Sequence, residues 1–275
     1  MRLFARGLAL LAALAWATAA VARAPERIVS LAPHITALLF EAGLGPRVVG
    51  VTESCPSVVE ETRQRAKVAS HLGANIEAIL ALEPDVVVAW PSGNRAADLE
   101  TLRRQGIRIE TSEPRTFEQI LADFERFAAW AGPEPLERAR RRSAELRRLL
   151  IRLKARSAEQ PRLRVFYHLG GERLWTLSNV HLVGEALALC GADNLFGHLR
   201  QPAAEVSREA IVAAQPQLIL VAEPDAAAVK RFWQRLAPSV PVLAFDGSAL
   251  HRPSLASFST LEALCEALAH VRRRG

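Results

Sequence analysis

The 275-residue sequence holds no G-x-S-x-G elbow, no H-E-x-x-H zinc motif and no glycine-rich phosphate cradle. Those absences remove the usual sequence signatures of an α/β hydrolase, a metallopeptidase and a nucleotide-binding enzyme. The glycines of "GLGPRVVG" (43–50) end a helical stretch rather than open one. An enzyme reading then depends on Cys55 as a nucleophile with a histidine as its base. No basic partner stands beside Cys55 in the sequence to lower its pKa. Beyond the first residues the chain also has no apolar run long enough to span a bilayer.

The N-terminus is different. It reads "MRLFARGLALLAALAWATAAVARA", with Arg2 and Arg6 ahead of an apolar run from Gly7 to Ala20. The run is too short for a comfortable membrane span and is followed by the small residues of "AVA" and "ARA". This is the pattern of a secretory signal peptide over residues 1–24, cleaved near Ala22–Ala24. No cysteine lies near the cleavage region to carry a lipid. The mature chain is therefore expected to be exported into a bacterial periplasm.

The formal charge of +6 overstates the basicity, because loss of Arg2, Arg6 and Arg23 with the signal leaves +3. Much of the remainder sits in "LERARRRSAELRRLLIRLKAR" (Leu136–Arg156), where Leu and Ile recur at helical spacing and Glu is interleaved with Arg. An exported chain with no aromatics among these basic residues predicts a long solvated helix rather than a nucleic-acid arm. No Pro or Gly interrupts it up to Gln160, so it should resist bending. Export also favours disulfides. Cys190 closes "GEALALCGADN" and Cys265 lies within "TLEALCEALAHV", both on apolar faces of C-terminal helices. A Cys190–Cys265 bridge is expected, leaving Cys55 as a quiet, half-buried thiol.

One phrase occurs twice. "EAILALEPDVVVA" begins at Glu77 and "EAIVAAQPQLILV" begins at Glu209, 132 residues later. Each reads as a helix stopped by Pro and followed by a strand. Around them, non-alternating strands such as "RIVSL", "RVVGV", "DVVVAW", "RVFYHL" and "PVLAF" are separated by helical segments. That pattern predicts parallel sheets buried on both faces. The expected fold is α/β: an N-terminal lobe over 25–132, a connecting helix over 133–160 and a C-terminal lobe over 161–275. In open α/β sheets ligands bind beyond the carboxyl ends of the strands. The strand-end residues are Pro33 and His34, expected in a turn; Thr52 to Cys55; Trp90 to Asn94; His168 to Gly171, including Leu169, with Trp175 nearby; and Asp246 with Gly247.

Together "RIVSLAPHITALLFEAG", "VVGVTESC", "GANIEAILALEPDVVVAWPSGN", "VSREAIVAAQPQLILV" and "LCGADNLF" resemble the periplasmic cobalamin-binding proteins of ABC importers. These form the helical-backbone, class III group of metal-chelate binding proteins. The resemblance runs from about Arg27 to Val271. It implies a monomer without catalysis or a cofactor of its own, which captures a corrinoid between its lobes and delivers it to a membrane permease and its ATPase. It also implies that Glu77 and Glu209 dock on that permease, one carboxylate per lobe. The residues allow a simpler role as well, since Asn75 and Ser207 read as helix caps and an acidic side chain favours a helix N-terminus. Trp90 matches an aromatic wall position of the family, and Trp175 falls near a second.

The pattern also departs from the family. His71 stands where some relatives carry tryptophan, and Ala203 and Ala204 stand where another aromatic is expected. The loop "DGSALHRPSLAS" keeps Asp246, His251, Arg252 and Pro253 but lacks some expected polar residues after them. His71 and His34 could ligate a metal, which keeps haem open as a ligand. A ferric siderophore would want a basic cleft, and few Lys or Arg fall on the strand-end loops.

Overall fold

In the computed structural model, which describes residues 24–171, 173–223 and 227–274, one long helix separates two mainly parallel sheets. The signal segment expected at the N-terminus lies, except for Ala24, outside the described residues.

The first sheet contains β1 (Ile28–Ser30), β2 (Val48–Thr52), β3 (Ala66–Ser70), β4 (Gly73–Ala74), β5 (Val86–Ala89) and β6 (Ile109–Thr111), in the order β4-β3-β2-β1-β5-β6. Neighbours run parallel except β3 and β4. β1 and β5 are buried at every residue, as apolar strands covered on both faces must be. Ile28, Val48, Val86 and Val88 enter a core shared with α1 (Pro33–Glu41) and α4 (Phe117–Ala131). Val29, Val87 and Ala89 enter a second core with α2 (Ile76–Ala81) and α3 (Ala96–Arg104). Pro33 and His34 do not form a turn. They open α1, because Pro at the first helical position gives up an N–H that has no partner there in any case.

The connecting helix, α5, spans Pro133–Ala158 without interruption. Gly132, at φ 127°, allows the chain to turn from α4 directly into it. Ala139, Leu146, Leu149 and Leu153 form its buried stripe. Its outer face carries the pairs Arg138–Glu134 and Arg141–Glu137 at i,i+4, each worth a few tenths of a kcal/mol. Arg147 reaches across to Glu118 and Glu125 of α4.

The second sheet has the order β12-β11-β7-β9, all parallel. Its strands are β7 (Leu163–His168), β9 (Ala192–Asn194), β11 (Leu218–Val221) and β12 (Val242–Ala244). β8 (Trp175–Leu177) and β10 (Ala203–Glu205) make a separate antiparallel ribbon. The helices here are α6 (Leu182–Leu189), α7 (Arg208–Ala213), α8 (Ala227–Leu236) and α9 (Ala256–Arg274). Cys190, at the end of α6, is bridged to Cys265 of α9.

The repeated phrase is one structure built twice, residue for residue. Asn75 and Ser207 accept from the backbone N–H groups of Ala78 and Ala210 at 3.0 and 3.1 Å. The helices Ile76–Ala81 and Arg208–Ala213 follow, 132 residues apart. Each ends at a non-glycine residue with positive φ, Glu83 at 45° and Gln215 at 48°. The residue before a proline is pushed out of the right-handed helical region, and Pro84 and Pro216 come next. Strands β5 and β11 then begin at matching positions.

The lobes share a core. One cluster of buried side chains runs from Ile28 and Leu38 through Leu146 and Leu153 to Leu218 and Phe258. Phe117 and Phe258 meet edge to face across the lobes at 4.9 Å.

Candidate functional site

The carboxyl ends of β1, β5 and β6 deliver His34, Trp90 and the 113–115 segment to one side of a cleft between the lobes. Val180, His181, Pro202 and the 251–253 loop of the second lobe face them. The space between the walls is about 70 Å³.

A short turn holds Trp90. Its N–H donates to Asn94 Oδ1 at 2.7 Å, and Asn94 Nδ2 donates to the Leu31 carbonyl at 3.0 Å, pinning the turn to the end of β1. The indole lies over Gly93, where a Cβ would come within 1.9 Å of ring atom Cε3. Trp90 is 37% exposed, a large value for so bulky an apolar group. His34 stands perpendicular to it at 5.4 Å between centroids. Burial pushes the His34 imidazole down to about 4, against a weaker upward pull from a hydrogen bond to the Ser112 backbone. Partial burial would raise Glu113, but hydrogen bonds from Arg115 and Ser92 outweigh it and hold the carboxyl below its ordinary range. Arg115 Nη2 donates to Glu113 Oε1 at 2.8 Å.

The opposite wall is built on histidine. His181 caps α6, its Nδ1 accepting the N–H of Val183 at 3.2 Å. His251 lies 6.2 Å from it between ring centroids. Nε2 of His251 is 2.8 Å from the hydroxyl of Tyr167, a fully buried residue whose phenol burial pushes up. Burial pushes both imidazoles down to about 4; Arg252 adds to the effect on His251, and His251 to that on His181.

Of the residues expected from sequence, the structure brings His34 and Trp90 together. Cys55 is fully buried, its Sγ 3.1 Å from both Thr36 Oγ1 and Thr52 Oγ1. It lies behind the wall rather than on it, and is buried completely where half-burial was expected. His71 belongs to a neighbouring small cavity with Thr52 and Asp98. Trp175 sits on the ribbon with Arg173 over its ring at 5.5 Å, and is not among the side chains lining the cleft. Leu169 donates its N–H to the Trp175 carbonyl at 3.0 Å. Asp246 is exposed and accepts from the N–H of Ser248 at 3.0 Å. Glu77 and Glu209 are exposed in the first turns of α2 and α7. Backbone and Ser207 hydrogen bonds hold the Glu209 carboxyl below its ordinary range.

His181 was not legible as a site residue, because its sequence reads as the start of an apolar helix. Its N-cap position is the signal that could have marked it. Among the described residues, no group of three or more His, Cys, Asp or Glu is placed to hold a metal ion.

Residues 28–244 match the periplasmic binding protein family. The chain belongs to that family. It is 34% identical over 252 residues to the vitamin B12-binding protein of Yersinia pestis (strain Pestoides F), covering 91% of this chain and 89% of that protein. It is similar in structure to the periplasmic vitamin B12 binding protein BtuF of Vibrio cholerae, with a TM-score of 0.80 and 32% identity over 92% of this chain and 99% of that one. The periplasmic heme binding protein HutB of Vibrio cholerae shares the fold, with a TM-score of 0.72 and 20% identity over 88% of this chain and 98% of that one.

Proposed function

We propose that this periplasmic binding protein captures cobalamin or a related corrinoid in the inter-lobe cleft and delivers it to an ABC importer. The observation that carries this reading is the Trp90–His34 wall, with Arg115 paired to Glu113 beside it, facing a neutral histidine wall. It occurs in a chain one-third identical to vitamin B12-binding proteins. A corrin presents broad apolar faces, which suit an aromatic wall, and an amide-bearing rim, which suits uncharged hydrogen-bonding groups.

Trp90 and His34 are the principal wall. Trp175, Leu169, Asp246 and His71 do not line the enclosed space and belong to the proposed site only as groups that a ligand larger than that space would reach. Pockets for ligands of this order run to about 300–1,000 Å³, well above the 70 Å³ enclosed here. The packed Phe117–Phe258 contact beneath the cleft favours making room by moving the Trp90 turn and the 113–115 and 251–253 loops rather than by swinging the lobes apart. Residues 1–24 direct export, the mature chain acts as a monomer, and no turnover accompanies binding. Glu77 and Glu209 meet the permease, one from each lobe, and the ATPase lies on its far side.

The test is calorimetric and absorbance titration of the purified protein with cyanocobalamin, dicyanocobinamide and haem. Saturable binding of a corrinoid is the expected result. A Soret shift with haem and no corrinoid binding would give the site to haem instead, with His34 as the imidazole on the cleft wall available to an iron.

A further inference from the structure

Two hydrogen bonds fix where the proton sits on His181 and His251. Nδ1 of His181 accepts the N–H of Val183, so the neutral ring carries its proton on Nε2. The Tyr167 hydroxyl is buried, and Nε2 of His251 is its one hydrogen-bond partner among the described residues. A buried O–H without an acceptor is costly. The phenol therefore donates, Nε2 accepts, and the His251 proton sits on Nδ1. Neither remaining N–H, Nε2–H of His181 or Nδ1–H of His251, has a protein acceptor among the described residues. Both rings line the cleft, and burial keeps both uncharged at neutral pH.

The charged side chains that line the cleft with them are Glu113 and Arg115. Arg115 is paired with Glu113, and Arg252 is not among the lining side chains. This wall therefore offers two N–H donors, and no unpaired Lys or Arg is among the described side chains lining the cleft. The lone pairs of both rings are already occupied, by the Val183 N–H and the Tyr167 O–H, so neither ring has one left to bind cobalt or iron.

We propose that His181 and His251 form a specificity element that donates hydrogen bonds to uncharged, carboxamide-class oxygens on the rim of the ligand. The inference rests on the corrinoid reading and adds the means of selection. A rim of amides is matched by neutral donors. A rim of carboxylates, as on haem, would bring negative charge against groups that cannot neutralise it.

The experiment is calorimetric titration of the purified protein and four variants with cyanocobalamin. His181→Asn keeps a capping oxygen for Val183 but loses the far N–H. His251→Phe combined with Tyr167→Phe removes the donor without stranding the phenol. Each is expected to lower affinity about three- to tenfold, and their combination further. His251→Gln, whose amide can accept from Tyr167 and still donate, is expected to stay within about threefold of the parent. Parent-like affinity in His181→Asn and in the His251→Phe/Tyr167→Phe pair would overturn the inference while leaving the corrinoid reading intact. A bound aquocobalamin spectrum with an imidazole-ligation shift that disappears in either variant would overturn it too. Failure of the parent to bind any corrinoid would overturn both.

Discussion

The carboxylate of Glu185, on α6 of the second lobe, accepts the backbone N–H of Phe117, the first residue of α4 in the first lobe, at 2.7 Å. Thr116 of the first lobe satisfies a second free N–H of the same helix, that of Gln119, at 3.2 Å. The start of α4 is thus capped by both lobes at once, directly above the Phe117–Phe258 contact. Glu185→Ala is expected to cost about 1–3 kcal/mol of stability, measured by denaturant unfolding, because it strands a part-buried N–H.

The pH dependence of stability has two opposed contributions. Burial raises the Glu185 carboxyl, Glu118 adds to the rise, and the Phe117 N–H opposes it. Its contribution is therefore fully present below the ordinary carboxylate value of about 4.3 and is lost as pH climbs through the raised value. His34, His181 and His251 are each pushed down to about 4. Below about 6.5 the unfolded chain takes up protons that these buried rings refuse. Burial also lowers His168 and raises Glu41 to about 7, so four lowered imidazoles stand against two raised carboxyls, and the melting temperature is expected to rise from pH 4 to about pH 6.5 in scanning calorimetry. Glu185→Gln removes its share of the opposing slope, leaving that of Glu41, and should steepen the rise; a curve superimposed on the parent's would show that Glu185 does not titrate there.

Trp90 is held in place by the absence of a side chain at Gly93. A single methyl there would occupy the space of the indole. Gly93→Ala should therefore approach the effect of Trp90→Ala on corrinoid affinity, a loss on the order of 2–4 kcal/mol. Since the turn is exposed, the melting temperature should move little. Unchanged calorimetric affinity in both variants would remove Trp90 from the ligand wall.

The Cys190–Cys265 bridge closes a separation of 75 residues. Replacing both with Ser should lower unfolding free energy by about 2–4 kcal/mol. It should leave corrinoid affinity unchanged, because the bridge borders a different cavity, beside Arg156 and Arg272. Urea titration and calorimetry on the same sample separate the two effects.

Glu77→Lys together with Glu209→Lys should leave corrinoid binding intact and abolish transporter-dependent uptake of labelled cobalamin. Uptake at the parental rate would mean that the two carboxylates serve only their own helices.

The helix–Pro–strand units were legible because each part carries a local physical signal: a capping Asn75 or Ser207, an apolar helix face, a breaking proline and an unbroken apolar strand. β3, β8, β9 and β10 carried no such signal. "AKVAS", "WTL", "ADN" and "AAE" are short, partly polar, and become strands only through their neighbours. Trp90 and His34 could be found because they follow strands directly. Trp175 also follows a strand in sequence, but the ribbon formed by β8 and β10 sets it beneath Arg173, a long-range pairing that no local pattern reveals. His251 was visible only as part of a loop, and its role depends on Tyr167, 84 residues earlier.

α5 runs 26 residues, roughly 39 Å at 1.5 Å per residue, and both sheets are bedded in the core it helps to build. The two copies of the repeated unit are therefore held like the points of a calliper, and on the proposed docking role their setting should not change with cargo. On that role, a permease gripping both points would learn from their spacing that the right protein has arrived, and nothing about whether it is loaded. News of the load would then have to come from the cleft that the Trp90 turn and the His251 loop line.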